Sequence, residues 1–203
     1  MEQNKDHYRT QHPYHVWDSL QLIPELLTEC LEGEVQSDIE KIVADFQQRG
    51  INKLIMLGRG SSYFAALSVE FLFEKLTKLP VSCFVTNVFQ EYPYDRCDSK
   101  TAVFFISHSG KSEGDLRVVE QVKKMGAYTI GVSDIPGSAL AEAVDQMLIG
   151  PGGSKIELPA SRTYATAIYR LELLAQALAE VLKVVDDPDE YKEIGRASCR
   201  ERV

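Results

Sequence analysis

TAVFFI, residues 101–106, is followed at once by SHSGKS, residues 107–112. This stretch indicates the fold most strongly, because six apolar or β-branched residues in a row are typical of a parallel strand buried on both faces. The hydroxyl-rich residues come directly before an amphipathic stretch that begins near Glu113. A strand that leads through serines into a helix places hydroxyls and unpaired backbone N–H groups at the positive end of the helix dipole. The junction therefore predicts a site for an anion such as a phosphate ester.

The same alternation of apolar runs and helical patterns extends over most of the chain. After the third run, for example, Leu116, Val119 and Val122 recur at helical spacing. Strands that alternate with helices form βαβ units, in which the strands are parallel. The sequence therefore predicts an α/β fold, a three-layer αβα sandwich with a five-stranded parallel sheet of the Rossmann-like or flavodoxin-like kind. The predicted strands are Asn52–Leu57, Val81–Thr86, Ala102–Ile106, Ala127–Val132 and Gln146–Ile149.

The chain length of 203 residues fits one such domain with short additions. Residues 1–35 are predicted to form a helical N-terminal leader, residues 36–184 the α/β domain and residues 185–192 a linker. Within the domain, Tyr63, Phe64 and Phe71 recur at helical spacing and are predicted to lie in the core.

The last eleven residues, 193–203 (EIGRASCRERV), lack apolar periodicity. They match one reading frame of a common sequencing adapter, and we interpret them as a non-native tail. We therefore expect the natural chain to continue past Lys192, so that the sequence represents an N-terminal fragment of a longer protein.

Charge and cysteine content argue against several classes of protein. A net charge of −8 without a Lys/Arg cluster disfavours nucleic acid or an acidic membrane as a partner. No signal peptide and no apolar run long enough to span a bilayer is present in the sequence. The four cysteines, at positions 30, 83, 97 and 199, have no metal-binding spacing. They indicate reduced thiols, no metal site and a cytoplasmic protein.

A second hydroxyl-rich loop, Gly58–Ser62 (GRGSS), follows the first predicted strand. Ligands of open parallel sheets bind outside the carboxyl ends of the strands, where the strand order reverses, so both loops are candidates for that place. Tyr63 replaces the third glycine of a dinucleotide fingerprint, and Phe105 replaces the first glycine of a Walker A loop. Both departures disfavour nucleotides and leave a cradle for a single phosphate group.

Together with PASRTY, residues 159–164, before a long amphipathic helix, the two loops resemble the sugar isomerase (SIS) domain. Within that family, the isomerase half of glutamine:fructose-6-phosphate aminotransferase and related amino-sugar and fructosamine phosphate enzymes are similar. The resemblance covers about Asn52 to Lys183. It implies a phosphosugar ligand whose phosphate lies on the serines of the second loop, with His108 in ligand contact only. The implied binding residues are Gly60, Ser61, Ser62, Ser107, His108, Ser109, Gly110, Ser112, Leu158 and Ala160.

The chain also departs from the family pattern at three positions, which leaves the sugar open. Arg59 stands where a small residue or cysteine is common, Lys111 often corresponds to an acid, and Lys155 falls where glutamate is usual. By the resemblance, the catalytic residues belong to a second SIS domain, a C-terminal tail and a neighbouring subunit. We therefore expect no catalytic residue and no cofactor in this fragment, which alone would be inactive.

Two functions are compatible with this resemblance. The first is aldose–ketose isomerisation or deamination of a hexose or hexosamine 6-phosphate, or deglycation of a phosphorylated fructosamine, by a full-length parent that lacks the glutaminase domain. The alternative is a non-catalytic, phosphosugar-sensing regulatory module. The expected partners are a phosphosugar, the missing second SIS domain and further copies of the full-length protein, with neither nucleic acid nor membrane.

Overall fold

Five parallel strands form one sheet at the centre of the computed structural model, which describes residues 9–91, 97–153 and 159–182. The strand order is β2-β1-β3-β4-β5, and every neighbouring pair is parallel. The predicted five-stranded parallel sheet is confirmed, with strand limits within a residue or two of those predicted. The strands are β1 (Lys53–Gly58), β2 (Val81–Val85), β3 (Thr101–Ile106), β4 (Tyr128–Ser133) and β5 (Gln146–Ile149).

Helices cover both faces of the sheet and complete the predicted three layers. Helices α2, α3 and α7 pack on one face, with α1 against α7, while α4, α5 and α6 lie on the other. The helices are α1 (His15–Glu29), α2 (Glu34–Arg49), α3 (Ser61–Thr77), α4 (Thr86–Glu91), α5 (Glu113–Lys124), α6 (Ala139–Ala143) and α7 (Arg162–Leu182). None of the described helices is long and apolar enough to cross a membrane.

The continuous apolar run of β3 is explained by its position inside the sheet. All six of its residues are buried. Phe104 packs into the core beneath α2, α3 and α7, whereas Phe105 packs into the core beneath α4, α5 and α6. Successive side chains of a strand point to opposite faces, so a strand that is covered twice needs apolar residues at both parities.

The prediction that Tyr63, Phe64 and Phe71 lie in the core is wrong for the two phenylalanines. Phe64 is 58% exposed and Phe71 is 78% exposed, while Tyr63 is half-buried. Helix α3 turns the face that contains Val69 and Phe73 toward the sheet and α7. Its sequence is apolar nearly all round, so helical spacing alone could not show which of the apolar faces is buried.

Candidate functional site

The two hydroxyl-rich loops lie side by side at the carboxyl edge of the sheet. Strands β1 and β3 are direct neighbours, with Leu57 in register with Phe105. From β1 the chain continues into α3 on one face, and from β3 it continues into α5 on the other face. The strand order therefore reverses between these two strands, which opens a crevice where their loops diverge.

The loop between β1 and α3 is shaped by two glycines. A side-chain Cβ at Gly58 would lie 2.6 Å from the backbone carbon of Ser62, so only glycine lets the helix start so close to the strand. Gly60 has φ +55°, in the left-handed region that glycine adopts without strain. As a result Ser61 is exposed at the first position of α3, and Ser62 is half-buried behind it.

The three serines of the loop between β3 and α5 differ in exposure and in their hydrogen bonds. Ser107 is buried, and its N–H donates to Val132 O over 3.0 Å, which extends the pairing of β3 with β4. Ser109 is exposed, and the Lys111 N–H donates a long bond of 3.4 Å to its Oγ. Ser112 is the N-cap of α5, since its Oγ accepts from the Asp115 N–H over 3.2 Å. Of the three hydroxyls, that of Ser109 is the most accessible to a ligand.

Gly110 has a structural reason to be glycine. Its φ is +60°, and a Cβ there would lie 2.3 Å from Ser138 Oγ. Its carbonyl accepts a hydrogen bond of 2.9 Å from the Leu140 N–H. The backbone at Gly110 therefore packs directly against the start of α6, and this contact fixes the position of the loop relative to α6.

A side-chain contact joins the two loops. Arg59 Nη2 donates a hydrogen bond to Ser112 Oγ, so that the loop after β1 is attached to the first turn of α5. In the sequence, Arg59 is a departure from the family pattern for which an added charge at an anion site and a surface ion pair are the two interpretations. The structure extends its side chain from the first candidate loop to the second.

His108 lines a small cavity on the α3 and α7 side of the sheet. Ser61 and Ser62 line the same cavity, together with residues of β4 and of the first turn of α7. The His108 Nδ1 atom is buried and has no hydrogen-bond partner in the described part of the chain. The remaining lining residues are Ala65, Ile106, Val132, Ser133, Asp134, Thr163, Tyr164, Ala167 and Arg170.

The structure thus brings together some predicted site residues and separates others. Ser61, Ser62 and His108 share the cavity, whereas the three serines of the loop between β3 and α5 are not among its lining residues. Ala160 is half-buried two residues before α7. Leu158 lies outside the described residues.

A buried ion pair supports the floor of this cavity. Arg170 Nη2 lies 2.8 Å from Asp134 Oδ1, and both side chains are at most 2% exposed. The same guanidinium donates to the carbonyls of Ser133, Leu148 and Thr166 over 2.8–3.1 Å. Because its donors are used by the protein, Arg170 holds the ends of β4 and β5 against α7.

Several of these residues were missed by the sequence analysis, although signals for some of them were present. Thr163 and Tyr164 belong to the segment PASRTY that carried part of the resemblance. Ser133 ends β4, and the rule that ligands collect at carboxyl ends of strands applies to it as well. Asp134 and Arg170 had no local signal, since the pair joins positions 36 residues apart.

Neither a metal cluster nor a reactive thiol accompanies the loops. Within the described ranges, no three His, Cys, Asp or Glu side chains are grouped closely enough to hold a metal ion. Burial, together with the nearby Glu70 carboxylate, raises the pKa of the Cys83 thiol to about 12. Cys30 and Cys97 are free and buried, and burial raises the pKa of each to about 11. All three thiols are protonated at neutral pH and poor nucleophiles.

The fold and the two loops define an open α/β domain with a binding crevice at the carboxyl edge of its sheet, and comparison with known proteins identifies the family. The SIS domain family matches residues 49–177, which is more than half of the chain. The chain therefore belongs to the SIS domain family, as the motifs of the two loops predicted.

The curated relatives are long enzymes of which this chain covers a part. Isomerizing glutamine–fructose-6-phosphate aminotransferase from Thermococcus kodakarensis is 30% identical over 161 residues, which are 78% of this chain and 26% of that protein. The enzyme of the same name from Clostridium tetani is 29% identical over 134 residues, 66% of this chain and 22% of that protein. The chain thus spans about a quarter of the length of these relatives.

Solved structures show the same fold. The C-terminal domain of glucosamine-fructose-6-phosphate aminotransferase from Francisella tularensis superposes with a TM-score of 0.76 at 18% sequence identity. The match covers 93% of this chain and 53% of that one, so the chain corresponds to about half of that solved domain.

Proposed function

We propose that this chain is a phosphosugar-binding SIS module from an amino-sugar phosphate isomerase or deaminase that acts on a hexose or hexosamine 6-phosphate. The observation that carries the proposal is the meeting of Gly58–Ser62 and Ser107–Ser112 at the ends of β1 and β3, where the strand order reverses. The names of the curated relatives, which are fructose-6-phosphate aminotransferases, support this class of substrate.

In this proposal the phosphate lies over the loop between β3 and α5. Ser109 is exposed there, and the first turn of α5 presents backbone N–H groups at the positive end of the helix dipole. The Ser107 and Ser112 side chains complete the cradle, and Gly110 sets its height through its contact with α6. The phosphate would thus serve as the handle by which the sugar is held.

The sugar itself would extend toward the loop between β1 and α3. Ser61, Ser62 and His108 line the cavity on this side, and Gly60 directly precedes the two serines. His108 belongs to the loop that would hold the phosphate, so it lies next to both parts of the ligand. Ala160, just before α7, and Leu158 are proposed to contact sugar hydroxyls. We assign these residues to binding and orientation, which lower the barrier only when a catalytic group acts on the reacting end.

We also propose that residues 36–184 form the first of two SIS domains. The general base for moving a proton between C1 and C2 of the open-chain sugar would then come from outside these residues. The exposed Phe64 and Phe71 of α3 support this arrangement, because an apolar surface of this kind is usually covered by a partner. The chain also matches only about half of the Francisella tularensis domain, which supports a pairing with a second unit of similar size.

Titration calorimetry of this chain tests the binding function. We expect fructose 6-phosphate and glucosamine 6-phosphate to bind, and fructose not to bind, because the phosphate supplies the contacts to the loop. Absence of binding by both phosphates, or equal binding of fructose, would contradict the proposal. Assay of the full-length parent then separates an isomerase or deaminase, which turns over one of these phosphates, from a sensor, which only binds them.

A further inference from the structure

Arg59 belongs to the first of the two proposed binding loops, and its side chain reaches the second. Its Nη2 donates a hydrogen bond to Ser112 Oγ, although 53 positions separate the two residues in the sequence. Arg59 is exposed and Ser112 is half-buried, so a ligand in the crevice can reach both side chains. The guanidinium is therefore available at the site where the proposed phosphate would enter.

The charge of Arg59 is not balanced by the described part of the chain. Arg9, Arg117 and Arg170 each lie 2.6–3.3 Å from a carboxylate oxygen. Arg59 forms no such ion pair with any described residue. A guanidinium has five N–H donors in a planar fork that matches two oxygens of a phosphate at once.

The two hydrogen bonds at Ser112 determine whether its hydroxyl can still donate or accept a further hydrogen bond. A serine hydroxyl has two acceptor positions and one donor. Both acceptor positions of Ser112 Oγ are used, one by Arg59 and one by the Asp115 N–H. Its O–H is left to donate, so the next partner of Ser112 has to be an acceptor such as a phosphate oxygen.

The first turn of α5 also contains two carboxylates, which would repel a bound anion. Glu113 is exposed and pairs with Arg117 over 3.3 Å, so its charge is partly compensated. Asp115 is only 5% exposed, and its Oδ1 has no hydrogen-bond partner among the described residues. An anion bound at this helix end would experience the field of Asp115, and the positive charge of Arg59 offsets that field.

We propose that Arg59 is a specificity-determining residue that selects a dianionic phosphate monoester at this site. In the complex, the guanidinium donates two N–H groups to phosphate oxygens while Ser112 donates its O–H to the same group. This inference rests on the proposed phosphosugar function and deepens it, because it assigns the charge state of the ligand. A singly charged sulfate ester of the same sugar gains less from the cation, and a neutral sugar gains nothing.

Two ligands of matched shape and three variants of the chain test the inference. Glucosamine 6-phosphate and glucosamine 6-sulfate differ in charge above the second phosphate pKa of about 6. Their dissociation constants are measured at fixed ionic strength for the wild type, Arg59→Gln, Arg59→Lys and the control Lys124→Gln. The control removes one exposed cation from the last residue of α5, at the end of the helix away from the loops, where the Lys124 side chain is 72% exposed.

We expect Arg59→Gln to weaken binding of the phosphate ester about tenfold or more, the usual scale of a lost charge-assisted hydrogen bond. The preference for phosphate over sulfate should fall in the same variant. Arg59→Lys should lie between it and the wild type, and Lys124→Gln should match the wild type. Equal phosphate affinity of Arg59→Gln and Lys124→Gln, or an unchanged preference for phosphate over sulfate, would overturn the role of Arg59 alone. Absence of phosphate ester binding by the wild type would overturn the proposed function and the inference together.

Discussion

Two arginines at the same edge of the sheet are used in opposite ways. Arg170 is 1% exposed, pairs with Asp134 and donates to the carbonyls of Ser133, Leu148 and Thr166. Arg59 is exposed, and among the described residues its hydrogen bond goes to one hydroxyl. The difference shows how residues of one type divide into support and recognition: a guanidinium whose donors are used by the protein stabilises the fold, whereas one with donors to spare can bind a ligand.

The largest effect is expected from removing the supporting arginine. Arg170→Met should lower the free energy of unfolding by about 3–5 kcal/mol, because it leaves the buried Asp134 carboxylate without its cation. Chemical denaturation monitored by circular dichroism measures this change. A loss below about 1 kcal/mol would show that the pair does not support this edge.

A double variant separates the charge from the packing. Arg170→Met combined with Asp134→Asn removes both charges, and we expect it to be less destabilised than the sum of the two single variants. Strict additivity of the two single losses would mean that the ion pair is not the cause.

The next largest effect is expected at Gly110, which packs the loop between β3 and α5 against the start of α6. Gly110→Ala should cost about 2–4 kcal/mol of unfolding free energy, since it adds left-handed backbone strain to a clash with Ser138. Gly60→Ala is a matched comparison, because Gly60 also has positive φ but open space around its Cβ position. We expect Gly60→Ala to be less destabilised than Gly110→Ala. Equal losses of unfolding free energy in the two variants would exclude the contact with Ser138 as a cause.

A smaller effect is expected at the helix cap. Ser112→Ala should lower the unfolding free energy by about 1 kcal/mol, the usual cost of a lost N-cap. It should also weaken phosphosugar binding, because the hydroxyl that faces the crevice is lost. Thr101→Val removes a buried hydroxyl that is hydrogen-bonded to Asp98 at the opposite end of β3, and it serves as the control in calorimetric titration. Binding that weakens equally in both variants would contradict a direct role of Ser112.

The smallest effect on stability is expected at the most exposed serine of the loop. Ser109→Ala should change the unfolding free energy by less than about 0.5 kcal/mol, because its described bond to the Lys111 N–H is long. Its affinity for fructose 6-phosphate should nevertheless fall about tenfold, through loss of a hydrogen bond to a charged group. Unchanged affinity would place the phosphate elsewhere.

Much of the fold could be predicted from the sequence because its strands are buried on both faces. The run TAVFFI has apolar residues at both parities, which few structures other than a covered parallel strand require. The sequence named both loops as candidates for the place where the strand order reverses, and the structure shows that both border it, because β1 and β3 are neighbours.

What could not be predicted depends on contacts between distant parts of the chain. Helix α3 is apolar on several sides, and its orientation is decided by α7, so Phe64 and Phe71 were assigned to the core and lie at the surface. The pair of Asp134 and Arg170 has no periodicity to reveal it. A glycine at position 110 is typical of the predicted loop, but its contact with Ser138 depends on where α6 lies, which the sequence does not show.

The buried pair also has a consequence for the order in which the protein can mature on the ribosome. Synthesis is vectorial, so Asp134 and the carbonyls of Ser133 and Leu148 are made before Arg170, their shared partner. Until the arginine emerges, burying this corner would enclose an uncompensated charge. We therefore expect nascent chains that stop short of residue 170 to keep the ends of β4 and β5 open to solvent and to proteases, with closure following as a late event in synthesis.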